Sequence, residues 1–453
     1  MTVTTGSDTT PTPFGTDGAG GLPDLRLAFD AAEPDWLSQL RSRAVDVVAE
    51  RGFPTLKDED WRYTRITPLL DLAFEPAASR PVSSPSPALI DELCGTSGGS
   101  RLLFVNGRFM PELSQLPEPA PGVRITNLAS ALSERRPVVQ PLLEASFGAR
   151  RHAFWASNVA SAQDGLLIEL SPDAVVEEPV RVVHYCDPAG TPVVAALRSM
   201  IVLGARSRVA VEETFIGSEG SVYLTNSITD VQLGPEAALE HFKVQLEPEA
   251  AFHLASMDVR QERGSRFVTN TASIGASIGR QELVVHLEGE GAEATVNGLY
   301  LPRGDQHHDC PVRVEHVAPG CTSRQLFKGV LDGHGQGVFN GHIVVHHGAD
   351  GTDASQTNKN LLLSDRAEAD TRPRLEIFAD DVKCTHGSAV GQLEDDAVFY
   401  LQARGISKEE ARSLLTYAFV NEVVDLVPDP SVGERLGRLV GDRLRGGSAG
   451  SGQ

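Results

Sequence analysis

The pattern of hydrophobic and polar positions divides the chain into a helical beginning, a long middle block and a helical end. From about residue 156 to residue 393, apolar and polar residues alternate over short runs such as 166–170, 239–246 and 283–287, which Gly, Asn, Asp and Pro separate. This alternation is typical of β-strands. A block of roughly 240 residues is too long for one β-sandwich, so it favours two sandwiches, a propeller or a β-helix.

The spacing of these runs bears on the choice among the three folds. A propeller should show a blade repeat of about 40–50 residues, and the sequence shows none. A β-helix tolerates an irregular repeat, because each coil needs only inward-facing apolar residues and turns. The pattern alone therefore leaves the β-helix as one of several candidates.

Both ends of the chain have helical periodicity. A helix is predicted over 35–50, where apolar residues recur at steps of three and four. Near the C-terminus three helices are predicted, and the capping boxes Ser407-x-x-Glu410 and Ser431-x-x-Glu434 begin the second and third. These helices are too short to be stable alone, so we expect them to pack on the β block, on each other or on a partner.

These patterns predict five parts along the chain. They are a disordered leader (1–22), a mainly helical N-terminal domain (23–150), a β core (151–393), a C-terminal helical domain (394–445) and a flexible tail (446–453). The leader and the tail are assigned from their Gly, Ser, Thr and Pro content.

Composition narrows the possible environments and partners. The chain has 453 residues, with 40 Lys and Arg against 61 Asp and Glu, a formal net charge of −21. So acidic a balance argues against binding to nucleic acid or to an anionic membrane, because both need a basic face. The five cysteines are scattered, which favours reduced thiols over a disulfide framework, and no secretory signal or run of 18 apolar residues is visible. We expect a cytoplasmic protein.

Few residues carry a recognisable chemical signature. The sequence contains no P-loop, dinucleotide-binding or zinc-protease motif, so an enzyme with one of these local signatures is disfavoured. His307, His308 and Cys310 are weak metal candidates, since a metal site needs three or four ligands that converge in space. We expect this stretch to be an exposed turn.

Cys384 and His386 form the sharpest local feature. If the segment around them is extended, the two side chains project from one face, with Cα atoms roughly 6–7 Å apart. A thiolate and an imidazole together suit iron, zinc or an iron–sulfur centre, but two ligands do not complete a site. Either the pair is structural, or the remaining ligands come from elsewhere in this chain or from another chain.

Several longer segments closely resemble the SufB/SufD family of iron–sulfur cluster assembly proteins. They are KDEDWRYT (57–64), SRQLFKGV (323–330), QTNKNLLLS (356–364), PRLEI (373–377), DDVKCTHG (380–387), GQL (391–393) and FYLQARGI (399–406). The segment at 57–64 and a chain that is short and cysteine-poor for SufB make the resemblance stronger to SufD than to SufB.

The resemblance implies a mainly β fold, a right-handed parallel β-helix flanked by N-terminal and C-terminal α-helical regions. It also implies a non-catalytic scaffold that pairs with a SufB-like paralogue and docks a SufC-like ATPase through its C-terminal helices. ATP hydrolysis would then take place on the ATPase partner. The paralogue and this chain would share a transient iron–sulfur cluster or iron, with no cofactor firmly bound to the isolated chain. The resemblance leaves open whether a reduced flavin binds.

The resemblance also assigns candidate residues. His386 and Cys384 match the interface positions implied as cluster ligands, and the SufB-like partner would supply a cysteine. The implied ATPase-docking residues on the C-terminal helices are Phe399, Tyr400, Arg404, Leu414, Leu415 and Phe419.

Two other interpretations remain open. The chain could be a SufB-like or homodimeric member of the same family. More remotely, it could be a carbohydrate-active β-helix enzyme that uses acids such as Asp380 and Asp381, although neighbouring residues on a strand point to opposite faces.

Overall fold

The computed structural model describes residues 33–77, 84–94, 98–118, 120–147 and 152–446. The predicted leader and the tail beyond residue 446 lie outside these residues. Nine α-helices are found in the described part: α1 Asp35–Arg51, α2 Thr67–Leu70, α3 Pro87–Cys94, α4 Leu128–Ser133, α5 Val139–Ser146, α6 Ala153–Ser161, α7 Asp395–Gln402, α8 Lys408–Val424 and α9 Pro430–Gly446.

The described residues contain twenty β-strands. They are β1 Glu75–Pro76, β2 Arg101–Val105, β3 Arg108–Phe109, β4 Val123–Asn127, β5 Leu166–Leu170, β6 Val180–Cys186, β7 Val193–Leu203, β8 Arg208–Gly217, β9 Tyr223–Leu233, β10 Ala238–Gln245, β11 Phe252–Gln261, β12 Arg266–Ser273, β13 Ile278–Leu287, β14 Glu293–Tyr300, β15 His307–His316, β16 Thr322–Leu331, β17 Gln336–Val345, β18 Thr352–Leu362, β19 Glu368–Ile377 and β20 Val382–Gly391.

The strands form a parallel β-helix, which confirms the predicted fold class. From β5 onward, odd-numbered strands pair in one ten-stranded sheet and even-numbered strands in another, here called the odd sheet and the even sheet. Coil length varies from 26 residues, between the paired Phe252 and Ile278, to 33, between Leu167 and Met200. This variation explains why the sequence shows no fixed repeat.

Alternation along each strand sends one set of side chains into the space between the sheets. Residues such as Val211, Phe267, Val285 and Phe339 form the apolar part of this interior. The opposite faces of both sheets are also covered, which is why many strands are buried throughout.

The N-terminal helices cover the outer face of the odd sheet. Leu40 and Val48 of α1 and Trp155 of α6 belong to one apolar cluster with Met200 and Ile228 of the sheet. Strands β1 to β4 come from the region predicted to be mainly helical, and they extend the two sheets. The N-terminal region is thus built onto the first coils of the β-helix.

The C-terminal helices cover the outer face of the even sheet. Val420 of α8 and Leu436 of α9 pack in one cluster with Val244, Leu299 and Val330 of the strands. The helices therefore dock on the β block, one of the arrangements expected from their length.

The start of α9 differs from the prediction. The capping box at Ser407 and Glu410 is present, but α9 begins at Pro430, before the predicted cap at Ser431. The Asp429 carboxylate accepts a hydrogen bond from the Ser431 N–H at 2.7 Å, so Asp429 fulfils the capping role.

Candidate functional site

The last coil of the β-helix leaves one edge of each sheet unpaired within the described residues. Strand β19 pairs with β17 and strand β20 pairs with β18, and no further described strand follows either one. Residues of β20 are mostly exposed and those of β19 are mostly half-buried, in contrast to buried strands of earlier coils such as β17. This open end is the place where the interior of the solenoid meets the surface.

Cys384 and His386 lie in β20 and face the open end, on the side of the strand that faces inward. Cys384 is half-buried and packs against the cluster of Ile343, Val345 and Ala354. His386 is exposed. The predicted extended segment and shared face are therefore present, and the imidazole is accessible to another chain.

The environment of the Cys384 thiol disfavours its ionised form. Burial, together with the nearby Asp353 carboxylate, raises the pKa of Cys384 above its ordinary value. The thiol is thus protonated at neutral pH in the isolated chain, and a metal ion or an additional cation would be needed to make it a good ligand.

The second predicted cluster is not an exposed turn, as expected, but lies in the buried strand β15. His307 faces outward and is 3.0 Å from Thr64 Oγ1, whereas His308 faces inward, with Nε2 2.8 Å from the Gly275 carbonyl oxygen. Burial lowers the pKa of His308 to about 3, so its ring is neutral. Cys310 also faces the interior and is buried.

His307 is therefore separated from His308 and Cys310 by the sheet itself. In the part of the chain that the structure describes, no group of three or more His, Cys, Asp or Glu residues is placed to hold a metal ion. The exposure prediction failed because burial in β15 depends on remote residues: Arg280 pairs with Asp309, and Thr64 donates to Asp309 at 2.6 Å.

The six predicted docking residues fall into two groups. Phe399, Tyr400, Arg404 and Leu414 are exposed, and the Arg404 guanidinium stacks 3.9 Å from the centre of the Tyr400 ring. Phe399 is 71% exposed, an unusual value for a phenylalanine on a helix. Leu415 and Phe419 are instead partly buried, and Phe419 packs against the cluster that joins α8 to the even sheet.

The segment KDEDWRYT lies across the outer face of the odd sheet. Trp61 stacks over the Arg280 guanidinium at 4.0 Å, and Glu59 pairs with Arg374 and Arg372 of β19 at 2.8 and 3.3 Å. The segment thus connects the middle of the sheet to its open edge. Sequence analysis had no signal for these contacts, because the partners lie some 220 to 315 residues away.

A buried polar network inside the solenoid was also missed. Lys243 Nζ lies 3.0 Å from His253 Nε2, and His253 Nδ1 lies 2.7 Å from the Glu247 carboxylate. Burial lowers the pKa of Lys243 to about 8. Alternation along β10 sends Lys243 inward, but hydrophobicity alone did not indicate that charged groups would be buried there.

Comparison with known proteins identifies related sequences. Residues 187–419 match the family model described as "SUF system FeS cluster assembly, SufBD core domain", and residues 26–182 match "SufBD protein N-terminal region". The core match includes the open end with Cys384 and His386.

Three relatives match over most of their length. The iron–sulfur cluster assembly protein SufD of Escherichia coli is 31% identical over 88% of this chain and 90% of its own. Protein ABCI7, chloroplastic, of Arabidopsis thaliana is 28% identical over 87% and 84%. The SufD protein of Bacillus subtilis is 25% identical over 91% and 95%. In the described residues of our chain, no helix is long and apolar enough to cross a membrane.

Proposed function

Because the chain belongs to the SufBD family of iron–sulfur cluster assembly proteins, we propose that it is the SufD-like scaffold subunit of an assembly complex. It pairs with a SufB-like paralogue, docks a SufC-like ATPase, and contributes His386, with Cys384 beside it, to a nascent cluster at the shared interface. The cluster is the product being built, and ATP hydrolysis belongs to the SufC-like partner.

The observation that carries this proposal is the open last coil. His386 is exposed and Cys384 is half-buried at the place where, among the described strands, both sheets have an unpaired edge. A thiol and an imidazole at an accessible end make half of a coordination site, and a second chain that caps the end can supply the rest.

The unpaired edges support pairing with a partner that carries strands of its own. Backbone N–H and C=O groups along β19 and β20 offer hydrogen bonds to another sheet, and exposed apolar residues lie nearby, among them Ile377, Phe378 and Val390. A β-helix with a similar open end would satisfy both requirements. A second copy of this chain could pair in the same way when the paralogue is missing.

The relatives named SufD support a SufD-like role over a SufB-like one. Two of them match this chain over nearly their whole length. Expression of the tagged chain with an untagged SufB-like paralogue tests the assignment: a one-to-one complex is expected, whereas a homodimer that excludes the paralogue would contradict it.

The ligand role is tested by anaerobic cluster assembly in the complex with the SufB-like and SufC-like proteins. His386→Ala is expected to leave the complex intact and to reduce cluster formation, followed by visible absorption and circular dichroism, by at least about tenfold. The reason is that one ligand of a shared site is lost while the interface strands remain.

Ser388→Ala provides the matched control, since Ser388 lies on the same face of the same exposed strand. It should assemble clusters at the wild-type rate. Equal rates in His386→Ala and wild type would refute the ligand role, and a failure of both variants to form the complex would place these residues in pairing instead.

A further inference from the structure

Three side chains inside the solenoid form a line, here called the relay. Lys243 Nζ lies 3.0 Å from His253 Nε2, and His253 Nδ1 lies 2.7 Å from a Glu247 carboxylate oxygen. All three residues are buried. An ammonium can only donate and a carboxylate can only accept, so the imidazole proton is on Nδ1 and Nε2 accepts from the lysine. The relay thus has the order of a nucleophile, a base and the group that orients the base.

The lysine of the relay loses its proton more easily than an ordinary lysine. Burial lowers the pKa of Lys243 to about 8, although the carboxylates of Glu213 and Glu247 oppose this shift. A desolvated lysine of this kind is a nucleophile near neutral pH, whereas an exposed lysine is protonated. When the amine is neutral, Glu213 keeps two other neighbours, because it lies 3.0 Å from His241 and 3.4 Å from His184. The network therefore accommodates a neutral amine.

Lys243 borders a cavity between the two sheets. The cavity has a volume of about 40 Å³, which is room for roughly three water-sized groups. Its size admits only a very small reactant. Hydroxyl groups that can donate hydrogen bonds to an anion line it from both sheets, and they belong to Ser227, Thr229, Thr269 and Thr271.

We propose that the Lys243 amine binds carbon dioxide in this cavity as a carbamate. The neutral amine nitrogen attacks the carbon atom, a C–N bond forms, and one C=O electron pair moves to an oxygen. The amine proton passes to His253 Nε2, and the resulting imidazolium remains next to the Glu247 carboxylate. Carbon dioxide suits the site because it is triatomic and uncharged, so it enters a protein interior without the cost of burying a charge.

The step adds no net charge to the solenoid interior. A neutral amine and a neutral imidazole become a carbamate anion and an imidazolium cation, which stay close together. Thr271 pairs with Lys243 in register on the neighbouring strand, so its side chain lies beside the amine. Neither iron, nor sulfide, nor a partner takes part, so the inference is independent of the proposed function.

Carbon-13 NMR of the full chain in carbon-13 bicarbonate at pH 8 tests the proposal, with nitrogen-15 in the lysine side chains. A carbamate on lysine gives a carbon signal that the nitrogen splits into a doublet. The splitting separates it from free bicarbonate and from a carbamate on the unlabelled amino terminus. The wild type should show this doublet, and Lys243→Met should reduce it by at least about tenfold, since the reactive amine is gone. Lys359→Arg is the matched control: Lys359 is a partly exposed lysine, so the doublet should remain.

A second variant tests the cavity while the relay stays intact. Ala255 lines the cavity, and Ala255→Val fills part of it, so the doublet should fall by at least about threefold. Circular dichroism checks that each variant is folded. The absence of a lysine doublet in the wild type overturns the inference. A doublet of wild-type size in folded Lys243→Met or Ala255→Val also overturns it, as does a fall in Lys359→Arg equal to that in Lys243→Met.

Discussion

His286 illustrates how one residue on the outer face of the odd sheet couples stability to pH. Its ring nitrogens lie 3.5 Å from carboxylate oxygens of Asp258 and Glu315. Burial lowers the pKa of His286, but the two carboxylates outweigh burial and raise it to about 9. The folded-state pKa therefore lies above the unfolded value of about 6.5.

A raised pKa means that the protonated ring stabilises the fold. The contribution is fully present below about pH 6.5 and is lost as the pH rises through about 9. In urea unfolding at pH 6 and pH 10, wild type should lose about 1–2 kcal/mol more than His286→Gln, after allowance for the long contacts and partial exposure. Because both proteins contain the other titrating groups, such as Lys243, the contributions of those groups cancel in the difference between wild type and His286→Gln. Equal losses in the two proteins would contradict the assigned ion pairs.

Residue-level prediction from sequence succeeded where the geometry is local. Successive side chains of a strand point to opposite faces, so Cys384 and His386, two positions apart, could be placed on one face from their spacing alone. Prediction failed for His307, His308 and Cys310, because these residues are buried by neighbouring coils of the β-helix and by the segment that contains Thr64, which are distant in sequence.

At the scale of elements, the attachment of α8 to the even sheet depends on a buried cation. Lys328 of β16 is 2% exposed, donates to the Phe419 carbonyl oxygen at 2.5 Å, and pairs with Glu422. Its ammonium also lies 4.3 Å from the centre of the Phe419 ring. Glu422 is half exposed and has a second partner in Lys359.

Because Lys328 is buried and Glu422 is half exposed, removing the carboxylate and removing the ammonium should change the free energy of unfolding by different amounts. Glu422→Gln leaves the Lys328 ammonium buried without its carboxylate and should lower the free energy of unfolding by about 1–3 kcal/mol. Lys328→Met removes the buried charge and leaves Glu422 solvated, so it should cost less than about 1 kcal/mol. Chemical denaturation measures both, and the reverse order would show that the pair itself stabilises the helix.

Element boundaries were predicted well where a single local rule decides them. The strand at 166–170 and the capping box of α8 follow from alternation and from cap chemistry. The start of α9 was misplaced because Asp429 and Pro430 together outcompete Ser431. The β-helix, in contrast, was predicted only through the resemblance to the SufB/SufD family, because the hydrophobic pattern alone was also compatible with two sandwiches or a propeller.

At the scale of the whole molecule, the C-terminal helices both cover the outer face of the even sheet and present a surface of their own. Their inner faces complete the apolar cluster over the even sheet. Deleting residues 394–445 would therefore expose that cluster, so removal of the helices cannot test docking alone. Substitutions on the outer face avoid this difficulty.

The double variant Phe399→Asp with Leu414→Asp should weaken binding of the SufC-like ATPase by at least about tenfold. Both side chains are more than half exposed, and exposed aromatic residues often carry much of the energy of an interface. Isothermal titration calorimetry measures the loss. Leu426→Asp, just beyond the C-terminal end of α8 and also exposed, should bind normally, and equal weakening by both would indicate a general loss of structure.

The central claim is that this chain donates half of a coordination site through His386. Pulsed electron paramagnetic resonance on the reduced, cluster-bearing complex tests it most directly, with nitrogen-15 histidine in this chain alone. We predict a nitrogen-15 hyperfine coupling in wild type that disappears in His386→Ala and persists in Ser388→Ala. A cluster that forms without such a coupling, or with one that survives His386→Ala, would contradict the claim.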